Sequence, residues 1–88
     1  MSPKNKTIHI DLDGVFKAPD RMAAVAIARK TIADLRLTYR VIVCANRAAG
    51  GRLSAVTLSD WLEGHGIRCD GITGEKPRHR YDYQGNQQ

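Results

Sequence analysis

Between Thr7 and Ala45 the chain passes from the alternation of a strand to the spacing of a helix and then to an unbroken apolar run, a succession that few folds can use. In Thr7-Ile8-His9-Ile10-Asp11-Leu12, the residues Ile8, Ile10 and Leu12 share one face, and the segment is rich in strand formers. Asp13-Gly14 then breaks it. Pro19-Asp20 marks a helix start, with Asp20 suited to accept from the first free backbone N–H groups. Met22, Val25, Ala28, Ile32 and Leu35 recur at helical intervals, which predicts a helix from Arg21 to Arg36 with one apolar stripe. Ala23, Ala24, Ala26 and Ala33 add helix propensity. Tyr39 to Ala45 reads as a second strand, whose Val41-Ile42-Val43 run suits a central parallel strand covered on both faces.

The pattern then repeats more weakly. Asn46 to Arg52 holds the paired glycines Gly50-Gly51 and is a loop. Ser54 to Glu63 predicts a second helix, with Ala55, Leu58, Trp61 and Leu62 inward, Ser54 at its start and Gly64 or Gly66 at its end. Ile67 to Ile72 is a third strand, and from Gly74 onward the chain is polar and turn-forming. The order β-α-β-α-β implies an α/β fold with a parallel sheet of about three strands and right-handed crossovers. A chain of 88 residues allows one domain. Its expected limits are residues 7–77, with 1–6 a flexible N-terminus and 78–88 a polar C-terminal tail whose last residues, Gln84 to Gln88, are frayed. So small a sheet either has both edges protected by other means, or belongs to a homo-oligomer or to a partner chain that completes it, or is a truncation of something larger.

Charge and composition narrow the function. The net charge is +5, spread over the chain and interrupted by acids, so its summed field tolerates phosphate-bearing ligands, nucleic acid included. A dedicated nucleic-acid module ranks last, because the chain lacks a helix-turn-helix signature, an RNP motif, zinc ligands and interleaved aromatic residues. No apolar run is long enough to span a membrane, and MSPKNKTIHIDLDG holds no signal-peptide core. Cys44 and Cys69 match no C-x-x-C pattern, so the expected setting is cytoplasmic and reducing.

Asp11-Leu12-Asp13-Gly14-Val15 carries the chemistry. As the strand ends, Asp11 and Asp13 both project toward the carboxyl edge of the sheet, where open α/β sheets place ligands. Gly14 permits a sharp exit and close approach of backbone to an anion. Repulsion between the carboxylates can be relieved by a divalent cation or by protonating one of them. Either arrangement suits a nucleophile beside a general acid and base.

The string IHIDLDGVF resembles the first motif of the haloacid dehalogenase-like (HAD) phosphohydrolases, a hydrophobic strand followed by D-x-D-G-[TV]. VIVCANR, Val41 to Arg47, resembles the second-strand motif of that family. LSDWLEGHGIRCDGI resembles the helix and strand that follow in small capless members, and Gly74-Glu75-Lys76-Pro77 the element bearing the family lysine. The resemblance covers residues 7–77 and is nearest to capsule-biosynthesis-type phosphatases or the phosphatase half of polynucleotide kinase-phosphatases. It implies a minimal Rossmannoid three-layer domain.

It also implies a Mg²⁺-dependent phosphatase that works through an aspartyl-phosphate. Asp11 would be the nucleophile and Asp13 the acid and base. The Asp11 carboxylate and the Asp13 carbonyl would help hold Mg²⁺. Lys76 would neutralise Asp11 and the phosphate, Arg47 would steady the phosphate, and Asn46 or nearby backbone would bind a phosphoryl oxygen. The substrate would be a phosphorylated small molecule or a nucleic-acid end.

Two departures temper this. Ala45 stands where the family places a hydroxyl, and the chain stops soon after the lysine, leaving Asp82 in place of a paired-acid motif. The resemblance therefore implies truncation after the lysine, loss of the fourth strand that borders the first, and weak turnover. The alternative is a catalytically degenerate HAD-like domain that binds phosphate or a protein partner. His9, His65 and His79 are read as surface, packing or loop residues, and Trp61 as core.

Overall fold

A computed structural model of the chain describes residues 6–44, 55–74 and 77–88, with 55–57 described in their backbone only. Strand β1 (Thr7–Asp11) leads into a short helix α1 (Asp13–Lys17), then helix α2 (Arg21–Arg36) and strand β2 (Arg40–Cys44). Helix α3 (Ala55–Gly64), strand β3 (Gly71–Thr73) and strand β4 (Tyr81–Asp82) follow. The strands form one sheet in the order β3-β2-β1-β4, and every pair is parallel. The α/β reading holds, and β1 lies beside β2 with Ile8 opposite Val41 and Ile10 opposite Val43.

Helix α2 starts where the sequence places it. Asp20 Oδ1 accepts from the Ala23 N–H at 3.1 Å, satisfying one of the donors a helix start leaves open. Its inner stripe is Ala24, Val25, Ala28 and Ile32, all buried. Met22 departs from the expected stripe and is 73% exposed. Helix α3 ends in the two-bond glycine cap of many helices. The Gly66 N–H reaches Glu63 O at 3.1 Å and the Ile67 N–H reaches Leu62 O at 2.9 Å, with Gly66 at φ +71. Buried Ile67 thus belongs to the cap, and β3 begins four residues later than the sequence suggests.

The core joins Ile8, Ile10, Val41 and Val43 of the sheet to the inner faces of α2 and α3. His9 and Ile42 alternate with these residues on the opposite face and are partly exposed.

The larger correction is at the other edge. The sheet has four strands, since Tyr81–Asp82 pairs with β1, Ile10 opposite Tyr81 and Asp11 opposite Asp82. Residues 80–88 are a folded turn rather than a frayed tail. The Asp82 N–H reaches Asn86 O at 2.8 Å, the Gly85 N–H reaches Asp82 O at 3.0 Å, and the Gln88 N–H reaches Arg80 O at 2.9 Å. Gly85 takes φ +89, and Tyr81 and Tyr83 pack against the core. The outer edge of β1 is thus covered by the chain's own C-terminal segment.

Candidate functional site

Asp11 is the last residue of β1, and the Leu12 N–H extends the ladder to Cys44 O at 3.0 Å. The chain then enters α1, which sequence reading missed because five residues are too few to show a period. Val15 is fully buried, and Phe16 meets Trp61 with ring centroids 5.0 Å apart, so α1 is anchored to α3. Gly14 does not sit at positive φ; a Cβ there would lie 3.0 Å from the Tyr83 ring. Its small size admits Tyr83, and with it the β4 segment, beside the acidic pair.

Asp11 is 5% exposed and takes part in two linked contacts. Its Oδ1 accepts from the Asp13 N–H at 2.9 Å, which fixes Asp13 at the first position of α1. Its Oδ2 accepts from Arg80 Nε at 3.2 Å. Arg80 is held in turn, donating from Nη1 to Pro77 O at 2.8 Å. A guanidinium thus relieves some of the charge crowding between Asp11 and Asp13, a route the sequence reading did not weigh. The Asp13 Oδ1 atom is shielded from solvent.

Asp11, Asp13, Lys17, Arg80, Asp82 and Tyr83 line a pocket of about 390 Å³ at the carboxyl end of β1. A larger hollow of about 530 Å³ lies beside Glu63, Ile67 and Cys69, and it shares no lining residue with the acidic pocket. The acidic pocket lies where the topology of a parallel sheet places ligands, so it is the candidate site.

Asp11 and Asp13 come together as expected. Asn46, Arg47 and Lys76, together with Ala45, lie outside the described residues. Asp82 lines the pocket, but its Oδ1 accepts from the Gln84 and Asn86 N–H groups, both at 2.9 Å. Among the described residues no group of three or more His, Cys, Asp or Glu side chains is arranged to hold a metal. With Arg80 on Asp11 and Asp82 engaged in its own turn, these residues alone do not fit a Mg²⁺ ion. His65 packs its ring 4.5 Å from that of Trp61, and Trp61 is only partly buried. Cys44 is buried and donates from Sγ to Ile10 O at 3.5 Å. No helix among the described residues is long and apolar enough to cross a membrane.

Arg80 is the site residue that sequence reading missed. It precedes a strand of only two residues, and Arg-Tyr-Asp-Tyr reads as turn-forming until its pairing with β1 is known.

Comparison of the chain with protein-family models, with curated proteins and with solved structures gave no match.

Proposed function

We propose that the chain is a phosphohydrolase of the haloacid dehalogenase-like type with low turnover, acting on a phosphorylated small molecule or a nucleic-acid end. The observation that carries this reading is the pairing of buried Asp11 with Asp13 at the carboxyl edge of the central strand pair, in a pocket that also holds Lys17 and Arg80. The fourth strand, whose loss the sequence led us to expect, borders the first, and its Asp82 lines the same pocket. The net charge of +5 favours an anionic substrate over long range.

The chemistry takes two steps. An Asp11 carboxylate oxygen attacks phosphorus, forming the aspartyl-phosphate P–O bond as the bond to the leaving oxygen breaks, and Asp13 gives its proton to that oxygen. Water then attacks phosphorus while Asp13 takes a proton from it. The aspartyl P–O bond breaks, and Asp11 and inorganic phosphate are released. Cationic groups that offset the negative charge of nucleophile and phosphate carry much of the acceleration.

One observation favours a second reading, a domain that binds phosphate without turning it over. Arg80 lies on Asp11 Oδ2 and draws electron density from the would-be nucleophile. Phosphate release from an aryl phosphate, with Mg²⁺ and with EDTA, separates the two. Release that disappears in Asp11→Asn supports the hydrolase. Wild-type protein that binds phosphate yet releases none selects the binding domain.

A further inference from the structure

We infer that Arg80 is the phosphate-binding cation of the acidic pocket, and that this site takes up an oxyanion without a divalent metal. The inference deepens the proposed function, since it names the group that receives the phosphoryl oxygens at that same site. Asp11, Asp13 and Asp82 line the pocket with only Lys17 and Arg80 of opposite charge among the described residues. A phosphate dianion entering there needs a cation close to Asp11. Among the described residues, the cation against Asp11 is a guanidinium, with Nε 3.2 Å from Oδ2.

Arg80 is built for the task. Its Nε serves Asp11 and one Nη1 hydrogen serves Pro77 O, so Nη2 and the second Nη1 hydrogen remain to serve a ligand. Its side chain is 27% exposed against 6% for Asp11, so it is anchored at one end and open to the pocket at the other. The Gln88 N–H on Arg80 O at 2.9 Å fixes the backbone behind it. A planar fork with two aligned donors matches two oxygens of a phosphate, which a lysine ammonium does not. The Asp11 contact holds that fork in place before a ligand arrives, which lowers the ordering cost of binding.

The test titrates the full chain with inorganic phosphate in EDTA and again with Mg²⁺, following the Arg80 Nε–H signal by NMR and affinity by calorimetry. Saturable binding in EDTA that shifts the Arg80 signal is expected. Arg80→Gln should weaken it by at least about tenfold, the loss of one charge-assisted bond. Arg80→Lys should fall between them, because charge is kept and the fork is lost. A requirement for Mg²⁺, an unmoved Arg80 signal, or wild-type affinity in Arg80→Gln would overturn the inference. The wild-type NMR signal decides the matter even where a variant fails to fold. Phosphate bound in EDTA without aryl-phosphate turnover would sink the hydrolase and leave Arg80's role standing.

Discussion

Asp11 and Asp82 stand opposite one another in the parallel register of β1 and β4, yet their carboxylates serve different structures. Asp11 joins α1 to Arg80, through the Asp13 N–H on one oxygen and the guanidinium on the other. Asp82 turns back on its own chain, where Oδ1 gathers the Gln84 and Asn86 N–H groups. The pairing sets two acids side by side at the sheet edge, and local donors then give each a separate role.

Asp82 should accordingly behave as a turn residue. Asp82→Asn keeps an oxygen acceptor and should stay within about 0.5 kcal/mol of the parent. Asp82→Ala loses two backbone contacts and should cost about 1–2 kcal/mol in denaturant unfolding. An asparagine variant as damaged as the alanine one would show that the charge itself matters there.

A buried strand residue and an exposed helix residue should respond differently. Ile10 of β1 is fully buried, and Ile10→Ala should destabilise by about 2–5 kcal/mol, which in so small a domain threatens folding altogether. Met22, 73% exposed, should accept lysine with a change of no more than about 0.5 kcal/mol. Thermal unfolding of the two variants is the measurement, and a large loss in Met22→Lys would place that residue in the core after all.

Asp70 ties the end of α2 to the start of β2 and β3. Its carboxylate accepts from Arg36 Nε at 3.3 Å and Arg36 Nη2 at 3.1 Å, and from the Val41 N–H at 2.8 Å. Asp70→Ala removes these acceptors from a partly buried site and should cost about 1–3 kcal/mol. Arg36→Gln should cost less, since the Val41 contact survives and the ion pair is partly exposed. Equal losses in both variants would contradict this ordering.

The two thiols should differ in reactivity. Burial pushes the Cys69 thiol above its ordinary range; the Gly71 N–H opposes that shift, the Asp70 charge adds to it and Arg36 opposes it. Cys69 should therefore alkylate more slowly than a free thiol at mildly alkaline pH, because the thiolate is the nucleophile. The sign for stability follows. A thiol raised in the folded state contributes fully below the unfolded value, and the contribution is lost as pH climbs through the folded one. Cys44, fully buried, should react only on unfolding. Mass spectrometry of iodoacetamide adducts against pH resolves the two sites, and Cys69 reacting at the free-thiol rate would refute the burial argument.

The acidic pair and the helix Arg21–Arg36 were legible in the chain because each rests on neighbours in sequence, and the pairing of β1 with β2 because the β-α-β succession implies it. A carboxylate at i and i+2 near a strand end, an N-cap before an apolar stripe and an apolar strand after a helix are local patterns. Residues 80–88 were illegible for the opposite reason. Their strand is two residues long, and its order comes from β1, from Tyr83 against Gly14 and from the turn around Asp82.

By itself, then, the sequence determined the α/β succession, the parallel central pair and the placing of Asp11 and Asp13 at its carboxyl end. Those follow from periodicity, which the backbone enforces residue by residue. Only the tertiary structure decided that a fourth strand closes the edge and that Arg80, 69 residues away in the chain, sets a cation on Asp11. A contact over such a separation leaves no periodic trace. It forms because the folded sheet brings a buried carboxylate and a guanidinium within bonding distance, where burying that charge unpaired would be costly.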